Sequence, residues 1–175
     1  ENGSTAVKPE TCDIGALVGA IVESQEGLFR DQGLELTYIG RAPSDELRCA
    51  ADPDMIKQAV INLMSNAMRY TPEGGHVVVS VGREGSDMVV SVADTGIGIA
   101  EEDLPRVFSR FWRSDASRER VSGGLGVGLS LVKEIVSKHN GFVEVKSELG
   151  QGTVFIIHIP AEQPSHRVRG LGSTH

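Results

Sequence analysis

Cysteine is nearly absent from this 175-residue chain. Cys12 and Cys49 are the only two, far apart, in no CxxC pair and at no ligand-like spacing to a histidine. A structural zinc site takes about four ligands, and a disulfide scaffold needs more cysteines. Both classes are therefore excluded, and the pair reads as two structural thiols in a reducing compartment. Basic residues are also in deficit: 17 Lys and Arg against 24 Asp and Glu leave a net charge of −7. Nonspecific binders of nucleic acid or anionic membrane are normally basic, so the balance argues against both. No run approaches the ~20 consecutive apolar residues of a membrane span, and the start carries no signal-peptide pattern. Aromatics are scarce at 5%, which makes the cluster Phe108, Phe111 and Trp112 informative; its simplest use is to pin its segment to the core.

What is present is ordinary globular material: 39% hydrophobic and 23% charged residues, enough for one domain with a core. The first residue is Glu1 rather than Met, so the chain is expected to be a piece of a longer protein. Residues 1–10 are polar and read as an arm, 11–160 as the domain, and 161–175 as a polar, disordered tail. Asp13 is a candidate N-cap for an amphipathic helix to about Arg30, and Leu34–Ile39 alternates as a strand. Asp52-Pro53 opens a second helix that runs to Tyr70 and stops before Thr71-Pro72-Glu73-Gly74-Gly75. His76–Val81 and Met88–Ala93 read as a hairpin, and Glu101–Phe111 as a short helix. A third main helix spans Leu129–His139, followed by strands at Phe142–Val145 and Val154–Ile159. Strand and helix do not alternate as a doubly wound parallel sheet requires. The expected class is α/β, with about five or more strands, several in hairpins, and three main helices.

The second helix carries chemistry at its edge. Met55, Ile56, Ala59, Val60, Leu63, Met64 and Ala67 cover one face. Asn62, Asn66 and Arg69 fall on a stripe beside it, with Tyr70 about 40° from Asn66 on its other side. Asn is a poor helix former, so two of them at i and i+4 suggest a use for their carbonyl oxygens. A hard cation such as Mg²⁺ accepts a neutral amide oxygen when phosphates supply the charge. Arg69 is placed to meet phosphate oxygens. The alternative is a solvated polar edge.

Asp94-Thr95-Gly96-Ile97-Gly98-Ile99 follows directly on a strand. An aspartate there can accept from an amino group in a buried pocket, and Gly96 and Gly98 let a flat ligand approach the backbone; the alternative is a plain turn. Ser122-Gly123-Gly124-Leu125-Gly126-Val127-Gly128-Leu129 leads into a helix. Its free N–H groups suit an anion, yet it matches neither the Rossmann nor the Walker pattern. Between the two lie Arg106, Arg110, Arg113, Arg118 and Arg120, a segment able to close over a polyphosphate or to be solvated with Asp115 and Glu119.

Taken in order, Asn-x-x-x-Asn-x-x-Arg-Tyr, DTGIGI, FSRFWR, GGLGVGL and Gly150-Gln151-Gly152-Thr153 resemble the ATP-binding catalytic domain of sensor histidine kinases, over about residues 11–160. The resemblance implies the Bergerat fold, a two-layer sandwich of a mixed, largely antiparallel sheet with about three helices on one face. It implies Asn66 as the Mg²⁺ ligand, with Asn62 assisting through water. Arg69 falls at the basic phosphate position and Tyr70 beside the adenosine. Asp94 matches the carboxylate that holds the adenine amino group, with Gly96 in its motif and Gly98 supporting the base. Gly124, Leu125, Gly126, Val127, Gly128 and Leu129 match the second glycine loop at the phosphates. Thr153 falls beside adenine, and Arg113 and Arg118 are lid candidates. Leu125 departs from the family's usual Thr and removes a hydroxyl near the phosphates.

DNA gyrase, the mismatch-repair ATPases and the heat-shock chaperone group share that fold but carry Glu, a general base, where this chain has Asn62. The resemblance therefore implies slow ATP hydrolysis and transfer of the γ-phosphate to a protein histidine instead. None of His76, His139, His158, His166 and His175 has the family's phosphoacceptor setting. The acceptor is expected on a dimerising helical hairpin outside this chain, so no residue here is assigned to chemistry on histidine. The implied cofactors are ATP and Mg²⁺. The implied partners are that hairpin domain and a response regulator, with no nucleic acid; the fragment is expected to be a cytoplasmic monomer and its parent a membrane-anchored homodimer. Two alternatives are a nucleotide-sensing module without transfer and a serine/threonine kinase of the same fold.

Overall fold

The computed structural model describes residues 6–40, 44–109 and 128–162. Strand β1 (Glu10–Asp13) leads into helix α1 (Ile14–Asp31), and β2 (Glu35–Gly40) follows. A 3₁₀ turn, Ser44–Leu47, precedes β3 (Arg48–Ala51) and helix α2 (Pro53–Tyr70). The hairpin β4 (His76–Glu84) and β5 (Asp87–Asp94) comes next, then a 3₁₀ segment at Glu101–Arg106. Helix α3 (Gly128–Lys138), β6 (Phe142–Glu148) and β7 (Gly152–Pro160) complete the described elements.

Five strands form the main sheet in the order β2-β4-β5-β7-β6. Among the described strands of this sheet only β2 and β4 pair in parallel; the other neighbours are antiparallel. This is the mixed, largely antiparallel sheet that the resemblance implies. Period-two burial places the core on one side of it. Val77, Val79 and Val81 of β4, Val90 and Val92 of β5, and Phe155, Ile157 and Ile159 of β7 are buried. They meet Val18, Ile21 and Val22 of α1, Leu63 and Met64 of α2, and Val132 and Val136 of α3 in a single core. Strands β1 and β3 form a separate antiparallel pair.

Local chemistry sets the helix boundaries. Asp13 caps α1 by accepting the Ala16 N–H at 2.9 Å. Asp52 caps α2, its Oδ1 accepting from Asp54 and Met55, with Pro53 in the first turn where its missing N–H costs nothing. Asn140, at φ 62°, takes the left-handed conformation that ends α3.

Two elements differ from the sequence reading. The helix expected over Glu101–Phe111 is a 3₁₀ segment that ends at Arg106. Pro105 lies inside it and removes a donor that a continuing α-helix needs; residues from Arg110 to Val127 lie outside the described set. Phe108 meets Phe155 edge-to-face, ring centroids 6.0 Å apart, which is the core-pinning role expected of it. Strands β1 and β3 are the second difference, each four residues long and without the alternation that would have marked them.

Candidate functional site

The sheet and two helices converge on one cleft. It is lined by Asn66, Tyr70, Asp94, Gly98, Ile99, Leu129 and Thr153. Asn66 and Tyr70 sit one turn apart at the end of α2, Asp94 closes β5, Leu129 lies in the first turn of α3 and Thr153 is the second residue of β7. Six of these seven were expected from the sequence.

Asp94 is the organising group. It stands opposite Thr153 in the β5–β7 ladder and is only 8% exposed. Its Oδ1 accepts the Gly96 N–H at 2.9 Å and the Thr153 N–H at 3.2 Å. Both bonds fall on one oxygen, which fixes the carboxylate plane; among the described residues Oδ2 accepts none. Burial pushes the Asp94 carboxyl above its ordinary value, and the Gly96 and Thr153 N–H groups pull it back down. A carboxylate held this way gains from a ligand donor on its free oxygen.

The turn after Asp94 is shaped by two glycines. Gly98 has φ +75°, and a Cβ there would lie 2.2 Å from the Glu148 carbonyl oxygen. At Gly96 a Cβ would meet the Tyr70 carbonyl oxygen at 2.3 Å. The turn therefore presses against both α2 and the β6–β7 connection. Ile97 N–H donates to Tyr70 O at 3.1 Å, and Gly150 N–H donates to Ile97 O at 2.9 Å.

Ser147 was missed by the sequence reading, as was Ile99. The Ser147 hydroxyl accepts the Ile99 N–H at 2.7 Å, donates to Gly152 O at 2.9 Å, and lies 2.8 Å from the Thr153 hydroxyl. It joins the Asp94 turn to the β6–β7 hairpin and holds Ile99 against the cleft. The only available signal was its register partner, Thr153, across the hairpin.

Other expected residues lie around the cleft. Asn62 faces α3: its Nδ2 donates to Gly128 O at 3.3 Å, and its Oδ1 accepts from Gln58 at 3.2 Å. It thus grips the glycine of the glycine-rich loop at which α3 begins. Arg69 is half-buried in the last turn of α2. Arg113, Arg118, Gly124, Leu125, Gly126 and Val127 lie outside the described residues. No group of three or more His, Cys, Asp or Glu able to hold a metal occurs among the described residues. Asn66 adds an amide oxygen to the lining that already holds the Asp94 carboxylate, a donor type a hard cation accepts. A metal there would need most of its ligands from bound phosphates and water.

A cleft walled by Tyr70, Ile99 and Leu129, with one fixed carboxylate at its floor, suits a flat base bearing an amino group. The family described as histidine kinase-, DNA gyrase B- and HSP90-like ATPase matches residues 51–163, more than half of the chain. The chain belongs to this family. It is 40% identical over 161 residues to the sensor histidine kinase CusS of Escherichia coli K12, covering 92% of this chain and 32% of CusS. Thus it spans about a third of the length of that curated relative. The catalytic domain of histidine kinase ThkA superposes with a TM-score of 0.77 at 27% identity, covering 89% of this chain and 97% of that one. Full-length ShkA in complex with AMPPNP gives a TM-score of 0.78 at 27% identity, over 93% of this chain and 33% of that one. The fold is that of histidine kinase catalytic domains.

Proposed function

We propose that this chain is the ATP-binding part of a two-component sensor histidine kinase. It binds Mg-ATP in the cleft and presents the γ-phosphate to a histidine on a dimerising hairpin domain that is not among these residues. The observation that carries this reading is the single-oxygen clamp on Asp94. With Oδ1 tied to Gly96 and Thr153, Oδ2 is left to accept the adenine amino group, and Gly98 lines the cleft beside it. Family membership and the AMPPNP-bound ShkA support the choice of nucleotide.

The residues divide the work. Tyr70, Ile99 and Leu129 exclude water from the base, and Thr153 supports it through its backbone clamp on Asp94. Asn66 offers its amide oxygen to Mg²⁺, which when bound would neutralise phosphate charge. Arg69, in the last turn of α2, is proposed to meet phosphate oxygens. Asn62 cannot accept a proton, so it activates no water. This favours transfer over hydrolysis, by positioning and electrostatics. Arg113, Arg118 and the loop from Gly124 to Val127 are proposed to close on the triphosphate.

A response regulator is the expected recipient of the phosphoryl group after the histidine; ThkA is known in complex with the response regulator protein TrrA. The parent protein is proposed to be a membrane-anchored dimer with this domain in the cytoplasm. No helix among the described residues is long and apolar enough to cross a membrane. The decisive assay supplies γ-labelled ATP, Mg²⁺ and the parent's hairpin domain. Acid-labile, base-stable label on the hairpin is expected. Acid-stable label would assign a serine/threonine kinase, and nucleotide binding without label would assign a sensing module.

A further inference from the structure

Cys12 and Cys49 are distant in sequence but stand directly opposite one another in the antiparallel β1–β3 ladder. Directly opposed residues share a face of the ladder. Both thiols are free and buried, at 8% and 3% exposure. Ala50, between Cys49 and Ala51, turns its N–H away from β1 to Ala161 O at 3.0 Å. Alternation then turns Cys49 toward β1, which makes Cys12 and Cys49 a hydrogen-bonded pair. Such pairs hold their Cα atoms ~5.5 Å apart, within the disulfide range, but their Cβ atoms stand about 5.5 Å apart against the roughly 3.5–4.5 Å of a disulfide, so the two strands must draw together for the bond to close. The Cys12 Sγ donates to Ala51 O at 3.3 Å, one rung pair along the ladder, so it must rotate about its Cα–Cβ bond to meet Cys49.

We propose that Cys12 and Cys49 form a reversible disulfide that latches β1 to β3. The oxidant class is a hydroperoxide small enough to reach a buried thiol. The more exposed Cys12, as thiolate, attacks one peroxide oxygen; the O–O bond breaks, hydroxide leaves, and Cys12 becomes a sulfenic acid. The Cys49 thiolate attacks that sulfur, the S–S bond forms and a second hydroxide leaves. Two thiols lose two electrons and two protons, and hydrogen peroxide is reduced to two waters. A small dithiol reverses the change by exchange.

Burial sets the rate. It pushes the Cys49 thiol up to about 11, with the neighbouring Cys12 adding to the effect. Burial and the nearby Glu10 raise Cys12 as well. Thiolate is the reacting form, so the latch closes slowly at neutral pH and about tenfold faster per pH unit in mild base.

The position gives the latch its consequence. Strand β1 delivers Asp13 to cap α1, and β3 delivers Asp52 to cap α2. The incoming chain docks on the same Asp52, whose Oδ2 accepts the Lys8 N–H at 3.0 Å. Closing the bond would fix the entry path of the chain against the head of α2. Asn66 lies about 21 Å further along that helix, so the cleft itself is untouched. The inference stands apart from the nucleotide reading.

The 175-residue chain is treated with hydrogen peroxide in mild base. Intact mass, peptide mapping without reductant and melting temperature are then read. Expected are a loss of two mass units, a single Cys12–Cys49 cross-linked peptide and a melting point several degrees higher, all reversed by dithiothreitol. ATP affinity should stay within about twofold, if nucleotide binds at all. Cys12→Ala and Cys49→Ala should each abolish the mass loss, and the wild-type peptide map decides if either variant fails to fold. Sulfinic acid on one cysteine, a disulfide-linked dimer, or a bond formed only in denaturant would overturn the proposal.

Discussion

The imidazole of His139 joins the end of α3 to the head of α2: its Nε2 accepts the Asp52 N–H at 3.1 Å. On its other side Nδ1 donates to Ile135 O at 2.8 Å. The ring is fully buried. Asp52 in turn caps α2 and receives Lys8. One histidine therefore ties together the incoming chain, the helix bearing Asn66 and the helix that follows the glycine-rich loop.

Replacing His139 by Ala should leave the Asp52 N–H and a cavity unsatisfied. The expected loss is about 2–4 kcal/mol of unfolding free energy, read by urea titration. Loss below about 0.5 kcal/mol, the range of ordinary surface changes, would show that the bridge carries no stability.

Asp94→Asn keeps an oxygen for the Gly96 and Thr153 N–H groups but turns an amide NH₂ into the cleft. Two donors would then face each other at the adenine amino group. ATP affinity should fall about 10–100-fold, while the guanine carbonyl gains a donor and GTP closes the gap. Competition titrations measure the ratio; equal loss of both nucleotides would contradict the pairing.

The same carboxyl sets a pH dependence. Its folded value is raised above the unfolded one, chiefly by burial. The ionised group therefore costs the unliganded domain stability at neutral pH, and that cost disappears below the unfolded value, where both states are protonated. Asp94→Asn should thus melt no lower than wild type at neutral pH, with any stabilisation shrinking in acid. ATP binding needs the ionised form, so affinity should weaken on acidification, beginning above the ordinary aspartate range. Calorimetry and melting across pH check both signs.

Gly98→Ala places a Cβ at positive φ against the Glu148 carbonyl. Strain at such a position costs about 1–3 kcal/mol before the clash is counted. The variant should be destabilised and lose ATP affinity together, whereas Gly85→Ala, also at positive φ but with open space around it, should be milder and leave affinity unchanged. Comparable melting points for the two would contradict the close packing.

Asn66→Ala should bind ATP equally in Mg²⁺ and in chelator, because the amide oxygen is the donor proposed for the metal. Isothermal titration of this variant and the wild type under both conditions gives the comparison. Metal dependence matching the wild type would remove Asn66 from the metal site.

Local signals made much of this legible. Asp13 and Asp52-Pro53 announce α1 and α2 because caps act within one turn. Asn66 and Tyr70 are one turn apart on an amphipathic helix, and Asp94 follows a clear strand, so half of the cleft could be read from spacing. Ser147, Ile99 and the Cys12–Cys49 pairing could not, because they depend on register between segments distant in sequence. The Glu101–Phe111 helix failed at Pro105, where an apolar period outvoted a missing donor.

The central claim is that adenine sits on the free oxygen of Asp94. A crystal structure of this chain with Mg²⁺ and a nonhydrolysable ATP analogue tests it most directly. The account predicts the amino nitrogen of the base about 2.9 Å from Asp94 Oδ2, with Asn66 facing the phosphates. An empty cleft, or analogue bound with its base elsewhere, would contradict it.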